Sequence, residues 1–270
     1  MKEILVQDFP GKGTLVQIDI NCDMGESFGA YGMGEDERIV SLVTSANIAC
    51  GFHAGDPMVM ARTVELALRG GAAVGAHPGY PDLLGFGRRE METFPGEIRN
   101  YILYQVGALS AFVRAGGAKL RHVKPHGALY NLAARDEKTA REVIDAVRAF
   151  DPELILVALA GSLCAEMAEA AGLRVAREAF PDRAYLSDGR LAPRSMAGSV
   201  IHDPELVRGR VQRLIASGTI ECLDGGEIAL SVDTLCVHGD APGALRAAEA
   251  IHGALAASGV SPAPMRTASP

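Results

Sequence analysis

Four of the seven histidines stand where a short apolar stretch gives way to Gly or Pro, or in the loop just beyond it: His53, His77, His126 and His238. If these stretches are strands of a (β/α) barrel, the loops at their carboxyl ends form one mouth, where such barrels place their active sites. A single histidine usually serves a structural hydrogen bond, but four at one mouth indicate acid–base catalysis or metal binding. Asp240 follows His238 in the same loop and joins this group.

The first apolar stretch also carries polar side chains in strict alternation. Gln17, Asp19, Asn21 and Asp23 share one face of the predicted strand, opposite apolar residues at positions 16, 18, 20 and 22. If the apolar face packs against helices, the polar row points into the barrel, where an unpaired carboxylate is expensive to bury. A metal ion, a lysine or a substrate must therefore compensate the aspartates.

Lys124 is the lysine that the pattern favours for this task. It alternates with His122 and His126 on the fourth predicted strand, so we expect it to neutralise a carboxylate or to polarise a carbonyl oxygen. The alternative is a structural network of carboxylates and lysine that only holds the strands in register.

A divalent metal ion is the other way to compensate the carboxylates. Clustered histidines and aspartates suit a divalent metal with an open position for water, and Asp19, His53 and His77 are the candidate ligands. The spacing does not follow the HExxH pattern of zinc enzymes. The sequence leaves metal binding open.

Arginines near the predicted strand ends are candidates for binding anions. Arg88 or Arg89, in the GFGRR segment at 85–89, could clamp a carboxylate or a phosphate, although an exposed arginine pair is often only solvated. Arg183, next to Asp182, could reach the mouth as part of a lid or form a surface pair. The chain has no GxxxxGKS/T P-loop and no GxSxG nucleophile elbow, so neither a standard ATP site nor a serine nucleophile is visible.

The elements that would position these residues are marked by helix start and stop signals. Asp56-Pro57 begins one of six helix-like stretches and Gly70-Gly71 ends it, directly before an apolar strand. This alternation predicts parallel strands joined by helices. The seven predicted strands cover residues 16–23, 45–50, 72–77, 120–126, 154–160, 173–179 and 234–238. We therefore predict an α/β fold, a TIM-like barrel with seven strands or one whose eighth strand is not visible.

The domain organisation follows from the same pattern. We predict a single barrel domain over residues 1–260, with insertions near 180–202 and 219–233 that are long enough to be lids or accessory hairpins. Residues 261–270 are predicted to form a flexible tail.

Composition excludes several classes of protein. Of 270 residues, 48% are hydrophobic and 22% are charged, which rules out a disordered chain. The formal net charge of -7 gives no basic surface for nucleic acid. No apolar run reaches the roughly 18 residues of a membrane helix, and the first residues do not read as a signal peptide, so we expect a cytoplasmic protein with no membrane partner. A small-molecule substrate or another protein remains as the partner.

Seven segments of the chain resemble the LamB/YcsF family. They are DINCDMGE (19–26), SANIACGFHAGDP (45–57), GAHPGYPD (75–82), GFGRR (85–89), HVKPHGALYN (122–131), EAFPDR (178–183) and CVHGD (236–240). The resemblance runs from about residue 17 to residue 252. Members of this family serve as the A subunit of the prokaryotic 5-oxoprolinase.

The resemblance implies a barrel of the glycoside hydrolase and deacetylase type, and ATP-dependent hydrolysis of 5-oxo-L-proline to L-glutamate together with 5-oxoprolinase subunits B and C. ATP is then the cofactor, with a divalent metal as an open addition, and nucleotide could bind partly on a partner or in an unfamiliar site. From charge and strand position we assign catalysis to Asp23, Lys124, His126, His238 and Asp240. Substrate binding is assigned to Asn21, Asn47, Arg88, Arg89 and Arg183.

Two other functions fit the residues. A self-sufficient metal-dependent deacetylase or amidohydrolase would use the same histidines and aspartates, and would need metal but no ATP. A non-catalytic subunit that binds a carbohydrate or another metabolite would tolerate loss of each histidine in turn.

Overall fold

Seven parallel strands close into a barrel in the computed structural model of the chain, which describes residues 17–238 and 243–265. In chain order the strands are β1 (Gln17–Met24), β2 (Ser45–Ala49), β3 (Ala73–His77), β4 (His122–Val123), β5 (Ile155–Leu159), β6 (Arg174–Ala179), β7 (Thr219–Glu221), β8 (Glu227–Ala229), β9 (Thr234–His238) and β10 (Ser261–Pro262). The barrel runs from β1 through β6 to β9 and closes where β9 pairs with β1. The predicted seven-stranded α/β barrel is confirmed.

Helices surround the barrel. Within the described ranges they are α1 (Asp36–Ile39), α2 (Pro57–Gly70), α3 (Glu97–Ala115), α4 (Gly127–Ala133), α5 (Glu137–Phe150), α6 (Leu163–Ala170), α7 (Pro204–Ser217) and α8 (Ala244–Ala257). Asp56 caps α2 by accepting hydrogen bonds from the backbone N–H groups of Met58 and Val59, as its sequence predicts. Across these same ranges, no helix combines the length and the apolar character that crossing a membrane requires.

The barrel strands turn apolar side chains outward and polar side chains inward. Ile18 and Ile20 belong to the core between strands and helices. Asp19, Asn21 and Asp23 alternate with them and bond to side chains on other strands across the lumen. Paired residues of parallel strands face the same side of a sheet, so the polar lining continues onto the neighbouring strands.

The lower lumen is filled by apolar residues instead. Ile155 and Val157 of β5, Ala176 of β6 and Met265 form a small cluster separate from the outer core. Met265 follows β10, so the end of the described chain seals the amino-terminal end of the barrel.

This seal corrects the prediction of a flexible tail from residue 261. Ser261 and Pro262 pair with Gln17 and Ile18 of β1, and the Ala263 N–H donates to the Ile18 carbonyl at 3.0 Å. The reason is that β1 extends two residues beyond its pairing with β9, and its backbone groups there need partners. Residues 266–270 lie outside the described residues.

Two long segments depart from the strand–helix alternation. Residues 180–203 join β6 to α7, and bridges between Arg183 and Val200 and between Tyr185 and Leu191 hold them together. Residues 219–229 form an antiparallel hairpin of β7 and β8. Tyr185 also bridges to Cys222, which ties the two segments to each other.

Strand β4 is shorter than the predicted span of 120–126. It ends at Val123, because Pro125 has no N–H to continue the ladder. The backbone N–H groups of Lys124 and His126 still donate to the carbonyls of Ala76 and Pro78, at 2.9 and 2.8 Å. Both residues therefore stay beside β3 at the barrel mouth.

Candidate active site

Lys124 lies among buried acids in the upper lumen. Its Nζ is 2.9 Å from Asp23 Oδ1 on β1 and 2.9 Å from Glu178 Oε1 on β6. Burial by itself would lower the pKa of this ammonium, but the acidic groups around it, Asp23 foremost, outweigh burial and raise that pKa well above its ordinary value. Lys124 is therefore a charged group held between two carboxylates.

Two asparagines fix this lysine and its partners. The Asn21 amide donates to Glu178 Oε1 at 2.9 Å, and its oxygen accepts from Lys124 at 3.2 Å. The Asn47 amide donates to Asn21 Oδ1 at 2.7 Å and to Asp23 Oδ1 at 2.9 Å. Both asparagines are fully buried, so they position the charged groups from inside the lumen.

Asp19 lies deeper in the lumen, among hydroxyl groups. It accepts hydrogen bonds from Thr44 at 2.7 Å, from Ser45 at 2.6 Å and from Thr234. Burial raises the pKa of Asp19, and these hydrogen bonds act against that shift. Asp19 therefore holds β1, β2 and β9 together at this level.

Two histidines at the mouth turn acceptor atoms toward each other. His77 donates from Nδ1 to the Lys124 carbonyl at 2.7 Å, and His126 donates from Nε2 to the Phe86 carbonyl at 2.8 Å, because a carbonyl oxygen can only accept. His77 Nε2 and His126 Nδ1 are then 2.9 Å apart. Two neutral imidazoles would oppose lone pairs at this distance, so the position requires a cation, either a proton or a metal ion.

Glu26 and His53 complete a mouth cluster with His77 and His126. Each of the four offers one ligand atom, all within 4.8 Å of one another, and all four residues are buried. Glu26 Oε1 is 3.3 Å from His53 Nε2 and 3.5 Å from His126 Nδ1. Asp23 Oδ2 lies 3.3 Å from His77 Nε2 and links the mouth cluster to Lys124. Three imidazoles and a carboxylate converging on one point form a donor set that fits a divalent metal ion.

Two imidazoles of the mouth cluster, those of His53 and His126, are held neutral. Burial, followed by the charge of the neighbouring histidines, lowers the pKa of His53 and of His126 well below the ordinary value. Their rings stack in parallel with centroids 3.7 Å apart. Neutral rings keep the lone pairs that a metal ion or a proton needs.

The loop after β3 passes so close to these rings that position 87 has no room for a side chain. Phe86 and Gly87 have φ of 54° and 62°, in the left-handed region. A Cβ on Gly87 would lie 2.7 Å from His53 Cβ and 2.8 Å from His126 Cδ2. Glycine at this position therefore allows the loop to cover the cluster and to present the Phe86 carbonyl to His126.

A cavity of about 640 Å³ opens above these groups. Its polar lining includes Asp23, Glu26, His77, Lys124 and His126, and its walls include Tyr130, Leu159 and Phe180. Five arginines also line it: Arg88, Arg135, Arg183, Arg190 and Arg194. A small anionic molecule would find carboxylates, an ammonium and imidazoles on one side, and guanidinium groups on another.

The structure brings most of the predicted site residues together. Asp23, Lys124, His77 and His126 share the cavity lining, with His53 directly behind them. Arg88 and Arg183 line the cavity as well. The backbone of His238 pairs with Asp23 at the mouth end of β9, and Asp240 lies outside the described residues.

Four predicted site residues differ from expectation. Arg89 does not line the cavity; it pairs with Asp82, and its side chain is 66% exposed. Asp19 is not part of the mouth cluster, because it lies deeper in the lumen. Asn21 and Asn47 lie beneath the cavity lining, where they contact Lys124 and Asp23 rather than open space.

Sequence reasoning missed two acids. Glu178 accepts from Asn21, from Lys124 and, at 2.7 Å, from the Tyr130 hydroxyl, and the alternation of Ala176 and Glu178 on β6 could have identified it. Glu26 lies two residues beyond the end of β1, where strand alternation no longer predicts direction. No spacing rule would have selected it.

Fold and site together define a seven-stranded (β/α) barrel protein with a buried lysine–carboxylate network and a histidine-rich cluster at the carboxyl-terminal mouth. The profile of the LamB/YcsF family matches residues 18–270. The chain is 69% identical over 245 residues to the 5-oxoprolinase A subunit of Syntrophobacter fumaroxidans, which covers 91% of this chain and 97% of that protein. It is 56% identical to the 5-oxoprolinase A subunit of Thermus thermophilus, over 91% of this chain and 98% of that one. The chain belongs to the LamB/YcsF family.

One solved structure agrees with this assignment, and a second shares the fold. The lactam utilization protein from Thermus thermophilus is 54% identical and has a TM-score of 0.87, over 93% of this chain and 100% of that chain. A putative cellobiose-phosphate cleavage protein from Enterococcus faecalis V583 is 12% identical with a TM-score of 0.53, over 93% of this chain and 98% of that chain. The second similarity concerns the fold alone.

Proposed function

We propose that this chain is the A subunit of a 5-oxoprolinase, which opens the lactam ring of 5-oxo-L-proline to give L-glutamate at the expense of ATP, together with subunits B and C. The names of its relatives support 5-oxo-L-proline as the substrate, and the lactam utilization protein is a close structural match. The observation that carries the proposal is the charged Lys124 beside Asp23 at the base of a cavity large enough for a small cyclic amide. An ammonium and a carboxylate in contact can bind a polarised oxygen and deprotonate water side by side.

The reaction is written so that its atoms balance. The lactam oxygen attacks the γ-phosphorus of ATP, which forms an O–P bond and releases ADP. Water adds to the activated ring carbon, the C–N bond breaks, and the amine takes up a proton, leaving an acyl phosphate. A second water hydrolyses this acyl phosphate to glutamate and inorganic phosphate. Phosphorylation converts a poor electrophile into a reactive one, because an oxygen bonded to phosphorus draws electrons from the ring carbon and the nitrogen loses its amide resonance.

This chain's residues would serve these steps as follows. Lys124 holds the negative charge that develops on the lactam oxygen and the transferred phosphoryl group. Asp23, which lines the cavity, accepts the proton of the attacking water and passes it to the departing amine. Phe180 and Leu159 offer the apolar wall against which the ring would pack.

The mouth cluster fits a divalent metal ion, and Glu26, His53, His77 and His126 would hold it. Bound there, the ion would supply a Lewis acid and a water of lowered pKa.

The first experiment measures ATP hydrolysis dependent on 5-oxoproline, and glutamate release, with this chain, with its partner subunits, and with both. Coupled turnover only in the complete mixture is the expected result. Asp23→Asn and His126→Ala should each lower turnover at least about a hundredfold, while His202→Ala, at an exposed histidine, should not change it. Near wild-type turnover in both variants would overturn the assigned roles.

A metal-dependent deacylase is the second candidate, and the opposed lone pairs of His77 and His126 favour it. This function requires bound metal and activity without ATP. Metal content of the purified chain and hydrolysis of N-acyl substrates without nucleotide would distinguish the two functions. Loss of activity on chelation together with ATP-independent turnover would replace the first proposal by the second.

A further inference from the structure

The cavity mouth carries an excess of positive charge on a chain with a formal net charge of -7. Among the described residues that line the cavity, cationic side chains outnumber acidic ones. Two of these cations, Arg88 and Arg194, are close enough to a third, Arg183, for their charges to act on it. We call these three residues the arginine rim.

Arg183 has a fixed position in this rim, because its side chain is buried and hydrogen-bonded. It is 5% exposed, and its side chain donates to the carbonyls of Ala192 at 2.7 Å and Ser199 at 3.2 Å. Arg210 donates in turn to the Arg183 carbonyl at 2.8 Å, which fixes the backbone. The side-chain bonds use Nε and Nη2 and go to neutral acceptors, so they orient the guanidinium without cancelling its charge.

Both other members of the arginine rim repel Arg183. Burial, and after it the charge of Arg194 and, more weakly, that of Arg88, lowers the pKa of Arg183 to about 10, although the charge of Asp182 acts against this shift. Three guanidinium groups brought together at a cavity are stabilised by an anion placed among them.

The arginine rim spans the mouth. Arg88 follows β3, whereas Arg183 and Arg194 belong to the segment after β6, and three strand positions separate β3 from β6 around a ring of seven. Lys124 lies below, in the lumen between them. An anion that contacts the whole rim therefore covers the space above Lys124.

From this arrangement we propose that the arginine rim is a polyphosphate subsite, which binds the β- and γ-phosphates of a nucleoside triphosphate on this chain with the γ-phosphate directed toward Lys124. The inference rests on the proposed function and adds the place where nucleotide binds. One guanidinium is enough to pair with a single carboxylate. Adjacent phosphates carry enough charge and enough acceptor oxygens to bind three guanidinium groups. The absence of a P-loop from the sequence agrees with a site built from side chains.

Calorimetric titration of the isolated chain with pyrophosphate, with ATP and with 5-oxoproline tests the subsite. Arg194 is exposed, so Arg194→Gln leaves the packing intact, and Arg141→Gln on the outer face of α5 is the matched control. We expect Arg194→Gln to weaken pyrophosphate and ATP binding at least about tenfold, in keeping with loss of one charge-assisted contact, and to leave 5-oxoproline binding unchanged. The control should bind all three ligands as the wild-type chain does. Raised salt should weaken pyrophosphate binding to the wild-type chain.

Two outcomes would overturn the subsite. Pyrophosphate and ATP failing to bind to the wild-type chain would exclude it, and weakened binding of 5-oxoproline alone in Arg194→Gln would assign the rim to the substrate carboxylate. Either result leaves the proposed ring opening standing if the complete mixture still turns over, so the two failures are distinguishable. In that mixture, Arg194→Gln should raise the KM for ATP and not the KM for 5-oxoproline.

Discussion

Lys124 shows how one residue can be required for both stability and chemistry. It is 2% exposed and contacts two buried carboxylates, so its removal leaves both without their cation. We expect Lys124→Met to lower the free energy of unfolding by about 3–5 kcal/mol, the usual effect of breaking a buried ion pair. Denaturant unfolding measures this change.

Two further variants make that test specific. Lys138→Met, at an exposed lysine on α5, should change stability by less than about 0.5 kcal/mol. Adding Glu178→Gln to Lys124→Met should restore part of the lost stability, because one uncompensated charge is then removed. Equal stability of Lys124→Met and the wild-type chain would contradict the charge balance described for the lumen.

His122 gives the fold a dependence on pH. Burial, and after it the charge of Lys124, lowers the pKa of His122 to about 3, while in the unfolded chain it is near 6.5. Below pH 6.5, His122 therefore binds a proton in the unfolded chain but not in the folded chain, and stability falls as the pH drops toward 3. Between pH 7.5 and 5.5 this residue should account for about 1 kcal/mol.

His122→Gln tests that contribution. Glutamine can still donate to Asn47 Oδ1, which accepts from His122 Nε2 at 2.7 Å, but it does not titrate. The free energy of unfolding, measured at both pH values, should fall less in the variant than in the wild-type chain by about 1 kcal/mol. An identical fall in the two proteins would show that His122 is protonated in the folded state.

At the residue scale, the sequence predicted well where strand alternation applied. Alternation placed Asp23 in the lumen and Lys124 within reach of a carboxylate, and both are found there. It failed for Glu26, which lies beyond β1 and reaches the mouth cluster through the path of a loop. Alternation also gives no information on Arg89. This residue pairs with Asp82, which the local turn holds through the Gly85 N–H, and it does not reach the cavity.

At the scale of elements, β3 and β4 can pair only because Gly75 has no side chain. Gly75 pairs with His122 across the two strands, and a Cβ on Gly75 would overlap the His122 ring. We expect Gly75→Ala to destabilise the fold by about 1–3 kcal/mol, as overpacking does, and to displace His122 from Asn47. Thermal and denaturant unfolding measure the first effect.

Gly107 on α3 provides the matched control. Nothing lies within 4 Å of a Cβ at that position, so Gly107→Ala should stabilise the chain by about 0.5–1 kcal/mol through helix propensity. If the two alanine variants had the same stability, the close approach of β3 and β4 would not be a constraint.

Most helices and strands could be predicted because their signals are local. Asp56 and Pro57 sit at the start of α2, and Gly71 at its end has φ of 76°, as helix caps require. The pairing of β10 could not be predicted, since Ser261 and Pro262 resemble a disordered tail and gain structure only from the unpaired start of β1. Such long-range pairing has no signal in either segment alone.

At the scale of the whole molecule, Met265 joins the end of the described chain to the inside of the barrel. It is 8% exposed and packs with Ile155, Val157 and Ala176. Met265→Ala should lower the free energy of unfolding by about 2 kcal/mol, at the low end of the range for core methionines because its apolar cluster is small. Met58→Ala, at a methionine that is 79% exposed, should have no measurable effect in the same denaturant titration. Equal stability of the two variants would mean that the floor of the barrel does not depend on this residue.

That seal has a kinetic consequence. With Met265 and its neighbours filling the amino-terminal end, whatever binds near Lys124 arrives and departs through the mouth. A molecule seated deep in such a blind pocket is trapped while another sits above it, so binding follows a fixed sequence and the last to arrive is the first to leave. Product-inhibition patterns of a compulsory-order mechanism are the expected signature of a barrel closed at one end.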